Sequence, residues 1–160
     1  MRARESSGTG GMARSLAGVT LAWVLTAGCA EHHFEPPDRD AQVGEAETVF
    51  SMAAFDSISW ESDDQRALDG NVVYSTYCRN CHGPLGEGGT EYALNRDLDV
   101  PSLVEPDWRY AASRDSVLHR IFVGHASGMP TWGVAGITLR EMDAVTHYLL
   151  EVLRPEVLGG

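Results

Sequence analysis

Five consecutive residues, Cys78-Arg79-Asn80-Cys81-His82, constrain this chain more than any other stretch of it. C-x-x-C-H is the spacing at which two thiols add to the two vinyl groups of a haem and fix it covalently. The adjacent imidazole then lies against one face of the ring and can ligate the iron. A chain built around such a group takes much of its core from the haem, so the rest of the sequence has to hold, cover and tune an iron. Two other chemistries use similar residues. A dithiol oxidoreductase sets its C-x-x-C in a βαβ context, and no strand-like alternation is present here. A structural zinc site shows a second ligand pair at regular spacing, and that pair is missing.

The chain has 160 residues and is 43% hydrophobic, which suits one modest domain with extensions. Its formal net charge is -11 and every basic residue is Arg. A nucleic-acid partner needs a basic footprint, so that class is excluded. A lysine-ringed docking face is excluded too; any partner must meet Arg, acidic or apolar surface.

The N-terminus reads as a targeting segment. Residues 16–27 form an apolar run after Arg14. As a helix that run is roughly 18 Å long, too short for a hydrocarbon core of about 30 Å. It ends in Leu25-Thr26-Ala27-Gly28-Cys29. These residues resemble a bacterial lipoprotein signal, in which the cysteine becomes the lipidated first residue after cleavage. Thr26 departs from the aliphatic residue usual at its position, and a plain buried Cys29 after a secretory signal is the other reading. Met12 makes a more compact start than Met1. The three cysteines are then accounted for: lipid takes Cys29, haem takes Cys78 and Cys81, and no disulfide framework is needed. The expectation is an exported protein, lipid-anchored on the periplasmic side of a bacterial membrane.

Four segments follow: a signal peptide over 1–28, a lipidated Cys29 and acidic tether over 29–61, a haem domain over 62–155 and a tail over 156–160. Pro36-Pro37 and eight acidic residues mark 30–61 as linker, while Phe50, Met52, Phe55, Ile58 and Trp60 predict packing from Val49 on. Ser62 to Gln65 reads as a capping box opening a helix that runs to about Arg79. Gly70 inside that helix points to close approach by another element, or is merely tolerated at about 1 kcal/mol. The Gly-rich stretch 83–89 is a loop, and 95–107 is irregular around Pro101 and Pro106. Ser113 caps a helix with Val117, Leu118, Ile121 and Phe122 inward, stopped by Gly124. Thr138 and Glu141 form a second box. Its helix buries Leu139, Met142, Val145, Leu149 and Val152, exposes Arg140, Asp143, His147 and Glu151, and ends at Pro155. The class is all-α.

A haem held by His82 alone leaves the iron open. Met129, in the loop Ser127-Gly128-Met129-Pro130-Thr131-Trp132-Gly133, is the candidate second ligand, because Gly and Pro allow a sharp path that presents the sulfur. His125 and His119 are the competitors. His32 and His33 sit in the tether, Met142 points to the core and Met52 is remote.

Together these residues resemble a single-haem class I cytochrome c over about 62–155. The resemblance rests on Gly70 and Tyr74 leading into Cys78-x-x-Cys81-His82-Gly83, on Pro101-Ser102-Leu103, on Gly128-Met129-Pro130, and on Val145 and Tyr148 in the last helix. It implies three to five helices around one covalent haem c, with the first and last helices crossing at Gly70, Tyr74, Val145 and Tyr148. It also implies that the Pro101 carbonyl accepts the His82 N–H, although Pro101 serves equally as a turn former. Leu103 and Trp132 would line the haem, and Trp108 and Arg109 would face its propionates or serve as surface packing. The function implied is a one-electron carrier with His/Met ligation in a respiratory or photosynthetic chain, not an enzyme in itself. It would be a tethered carrier or a complex subunit, with a quinol-oxidising complex, terminal oxidase or reaction centre as partner. The alternative is a haem enzyme subunit or gas sensor with a labile distal ligand.

Overall fold

A computed structural model describes residues 38–159, and the regular structure within them is helical throughout. The signal segment, Cys29, His32, His33 and the Met12 start lie outside the described residues. In chain order the elements are α1 (Arg39–Val49), a 3-10 turn (Met52–Phe55), α2 (Asp63–Val73), a π turn (Tyr74–Cys78), α3 (Arg79–His82), α4 (Glu91–Leu94), α5 (Arg114–Val123), α6 (Trp132–Ala135), α7 (Leu139–His147), a second π turn (Tyr148–Leu153) and α8 (Arg154–Leu158). None of these helices is long and apolar enough to cross a membrane.

The frame is the crossing of α2 with α7. A Cβ added at Gly70 would lie 2.2 Å from the Ala144 carbonyl oxygen and 2.6 Å from Tyr148 Cβ. Only a residue without a Cβ lets the two backbones approach this closely, so Gly70 is required and not tolerated. Tyr74 and Tyr148 meet beside it with ring centroids 5.7 Å apart. The helix starts follow their caps. Ser62 accepts the Gln65 amide at 3.1 Å, but Gln65 turns away and donates from Nε2 to Asp69 at 2.8 Å, so that box is only half formed. Thr138 and Glu141 close theirs in both directions. Ser113 caps α5, and Gly124 at φ 74° stops it, with Val117, Leu118, Ile121 and Phe122 buried.

Three details differ from the sequence pattern. Much of the expected tether is structured: Asp38 caps α1 through the Asp40 and Ala41 amides. Ala46 is fully buried, Phe55 is buried, and Val43, Phe50, Met52 and Ile58 pack on the same core. One apolar position per turn was too sparse to register as a periodic stripe among so many acids. Next, the helical pattern places Asp143 on the wet face, yet it is 2% exposed. Its carboxylate accepts from Trp60 Nε1 at 2.7 Å, from Arg66 Nη2 at 2.7 Å and from Arg114, three donors replacing its water. Finally, Pro155 does not end the last helix, and 156–158 are helical rather than tail. The π turn just before it widens the backbone, and Pro155 falls in the first turn of α8, where a missing N–H is tolerated.

Candidate functional site

The C-x-x-C-H residues occupy the end of the first helical rod. Cys78 closes the π turn, Cys81 and His82 lie in α3, and Gly83 at φ 85° ends it. Both thiols are free of disulfide. Burial pushes the Cys78 thiol up to about 12, with Cys81 adding to the effect, and burial also raises Cys81 against the opposing charge of Arg96. A dithiol oxidoreductase needs the reverse, a thiolate-favouring site in a strand-containing fold.

His82 Nδ1 is buried and makes no aligned hydrogen bond. Burial lowers the pKa of the ring, while the backbone carbonyl of Pro101 works against that shift. The neutral imidazole, the ligating form, is thereby favoured. The loop after His82 is what brings Pro101 there. Tyr74 Oη donates to the Gly83 carbonyl at 2.8 Å, the Gly88 amide to His82 O at 2.8 Å, and the Leu103 amide to Gly86 O at 2.7 Å. A Cβ at Gly88 would lie 2.6 Å from the Val100 carbonyl oxygen, so its positive φ and its lack of a side chain are both used. Leu103 is buried at the end of this segment.

Met129 lies in a tight turn between α5 and α6. The His125 amide donates to Met129 O at 2.9 Å and the Gly128 amide to His125 O at 3.0 Å. The half-buried Met129, like Cys78, Trp108 and Trp132, packs against the common core. Tyr77, just before Cys78, meets Trp132, three residues after Met129, edge to face at 5.4 Å. That contact joins the thiol segment to the methionine loop. The two competing histidines are engaged elsewhere. His125 is exposed and its Nδ1 pairs with Ser127 Oγ at 2.5 Å. His119 pairs with Glu47 at 2.9 Å and stands edge-on to Phe50. Trp108 packs beside Tyr110 at 5.7 Å, and the exposed Arg109 lies over Tyr110 at 5.1 Å.

One residue had no sequence signal. Arg154 is 6% exposed, donates to the Leu103 carbonyl and to Glu105 O at 3.1 Å, and holds its guanidinium 5.1 Å from Trp108. It anchors the 103–105 segment next to Pro101. An Arg at a helix end ordinarily reads as solvated, and its partners here are backbone carbonyls that leave no mark in a sequence.

Two unbridged thiols, an imidazole with a buried outer nitrogen and a thioether in a neighbouring loop are a donor set that fits a covalent haem. Cys78 and Cys81 would hold the ring, and His82 and Met129 would meet the iron.

Comparison with known proteins gives the family. The family described as cytochrome C oxidase, cbb3-type, subunit III, matches residues 65–149. The chain is similar to the cbb3-type cytochrome c oxidase subunit FixP of Azorhizobium caulinodans, 26% identical over 89 residues, which are 54% of this chain and 28% of that protein. It is similar to subunit CcoP of Azospirillum sp., 23% identical over 90 residues (55% and 30%), and to CcoP of Rhodobacter capsulatus, 28% identical over 74 residues (46% and 23%). The chain spans about a quarter of the length of these curated relatives. No solved structure matches it.

Proposed function

The chain belongs to the cytochrome c oxidase, cbb3-type, subunit III family, a class I cytochrome c with covalent haem c, and on that premise we propose that it passes single electrons between redox proteins with His82 and Met129 as axial ligands. The haem supplies a one-electron Fe(II)/Fe(III) couple. The protein would fix it through Cys78 and Cys81, orient His82 toward it through the nearby Pro101 carbonyl, and cover it with Leu103 and Trp132. Trp108 and Arg109 are the proposed propionate neighbours. Thioether ligation by Met129 together with His82 would raise the potential and close the iron to small ligands, which would favour transfer over catalysis at the iron. The observation that carries this reading is the Tyr77–Trp132 contact, which holds the methionine loop against the thiol segment while His119 and His125 are paired elsewhere.

The relatives are named as oxidase subunits, which supports a terminal oxidase as the acceptor or host complex. A quinol-oxidising complex or another carrier would supply the electron. Cys29 is the proposed lipid anchor on the periplasmic side, checked by the mass of the mature N-terminus. With no Lys and a net charge of -11, the partner's contact face should be basic or apolar.

Met129→Ala tests the ligation. The haem should stay attached, the potential should fall, and the ferrous protein should bind carbon monoxide readily. An unchanged potential and optical spectrum would refute the assignment. Ready carbon monoxide binding by the native ferrous protein would instead support a sensor or enzyme with a labile distal ligand.

A further inference from the structure

The methionine loop has a second support, and it lies outside residues 65–149, where the family match ends. Arg39, Gln42 and Val43 of α1 face Gly128, Met129 and Pro130 across a cleft of about 280 Å³. Gly128, at φ 137°, is enclosed from two directions: a Cβ there would lie 2.5 Å from Leu98 Cδ2 and 3.1 Å from Arg39 Nη1. The helix that brings Arg39 there is itself well seated. Ala46 is fully buried, Glu47 pairs with His119 at 2.9 Å, and Phe50, just after the helix, packs edge-on to Phe122 at 5.3 Å. Phe122 in turn lies directly under the loop's exit: a Cβ at Gly133 would fall 2.4 Å from its ring. The loop is thus held from one side by Tyr77 on Trp132, and from the other by α1 with Phe50 and Phe122.

We propose that α1 is a clamp on the Met129 loop, with Val43 and Arg39 as positioning residues that keep the turn at 125–129 closed and the thioether presented. The proposal rests on Met129 being the sixth ligand. A loop ligand leaves its metal only if its turn opens, and opening is governed by the packing and hydrogen bonds that must be given up locally. The turn itself supplies two backbone hydrogen bonds, His125 N to Met129 O and Gly128 N to His125 O. Two such bonds in a half-exposed loop are a weak lock, so the approach of Arg39 to Gly128 and the wall that α1 forms beside Met129 set how often the turn opens. A chain with α1 loosened should keep its fold and its haem while Met129 exchanges on and off the iron.

The test uses the full haem-loaded chain with Val43→Asp, which puts a charge into the half-buried wall of that cleft, and Arg39→Ala at an exposed position as a milder second variant. Two quantities are read: amide hydrogen exchange over 125–131, and the rate of carbon monoxide binding to the ferrous protein. Both should rise by about tenfold in Val43→Asp with attached haem and helical content retained, and Val43→Ile should behave as the native chain. Met129→Ala is the reference. If it binds carbon monoxide fast while Val43→Asp and Arg39→Ala match the native protein in both readings, the clamp is refuted and the ligand assignment stands. If Met129→Ala binds carbon monoxide no faster than native, the ligand assignment fails, and loop exchange alone decides whether α1 holds the turn. Should Val43→Asp fail to fold, Arg39→Ala decides, with unchanged loop exchange counting against the proposal.

Discussion

Replacing Asp143 with Asn should weaken the domain far more than a change on a helix face that reads as solvated. Asp143 sits on α7, 2% exposed, between Arg66 on α2, Arg114 at the start of α5 and Trp60 in the strap before α2. It therefore ties four segments together, among them α2 and α7, the two helices of the Gly70 crossing. Burial alone would raise its pKa, but the bonds from Arg114 and Trp60 and the charges of Arg66 and Arg114 outweigh that and hold it below the usual carboxylate value. The magnitude follows from exposure. Stripping one partner from a fully buried pair costs about 3–5 kcal/mol. Arg114 is 41% exposed and recovers water, so its share is small, whereas Arg66 is 17% exposed. Trp60 Nε1, in a part-buried bond, also loses its acceptor, at the low end of the about 1–3 kcal/mol for a buried donor left unpaired. Together these give about 3 kcal/mol for Asp143→Asn, or roughly 10 °C in Tm for a unit of this size. Urea unfolding of the haem-loaded protein, followed by far-ultraviolet dichroism, measures it. The pH dependence is a sharper check. A carboxylate with a depressed folded-state pKa stabilises above its unfolded value near 4 and loses that contribution as pH falls through the folded value. The gap between native and Asp143→Asn should be full at pH 7 and pH 5 and shrink below pH 4. A gap under about 0.5 kcal/mol at pH 7, the scale of an ordinary surface substitution, would refute the reasoning.

Gly70→Ala forces a methyl into a space where the Ala144 carbonyl oxygen lies 2.2 Å away, so α2 and α7 must separate. A loss of about 1–3 kcal/mol in urea unfolding is expected, and a native-like midpoint would mean the crossing is loose. Cys78→Ala combined with Cys81→Ala should leave a chain without cooperative thermal unfolding, because the haem proposed to be held there would supply much of the core; a well-folded haem-free double variant would contradict that.

The crossing was legible because Gly, two aromatics and a C-x-x-C-H fall at fixed intervals, and steric demand at Gly70 leaves a residue-level mark. The helix starts were legible for the same reason, since Ser113 and Thr138 cap through their own side chains. The strap over 38–60 was half legible. Phe50, Phe55 and Trp60 announced packing, but α1 buries chiefly Ala46 and Val43, too little apolar surface to stand out among Asp and Glu. Asp143 and Arg154 were invisible because each is buried by what covers or accepts it, namely Trp60 and the carbonyls of Leu103 and Glu105. A charged residue with a distant partner looks, in sequence, like a charged residue in water.

The two π turns explain how one helical rod serves two geometries. Gly70 must face Ala144 for the crossing, and eight residues later Cys78 would have to face the ring that it is proposed to hold. A continuous α-helix would fix the angle between those two faces by its pitch alone. The π turn over Tyr74–Cys78 inserts a wider turn between them, so the thiol segment is rotated without disturbing the contact at Gly70. The partner rod does the same just after its own contact residue, from Tyr148 to Leu153, and the rotation there delivers Arg154 to the Leu103 carbonyl. Tyr74 and Tyr148 open the two π turns and pack on each other. The crossing, the thiol segment and the Pro101 loop are thus set by two local irregularities placed side by side. Any change that restores a regular α-helix at either turn should therefore misplace the haem attachment segment or the Pro101 loop while leaving helical content intact.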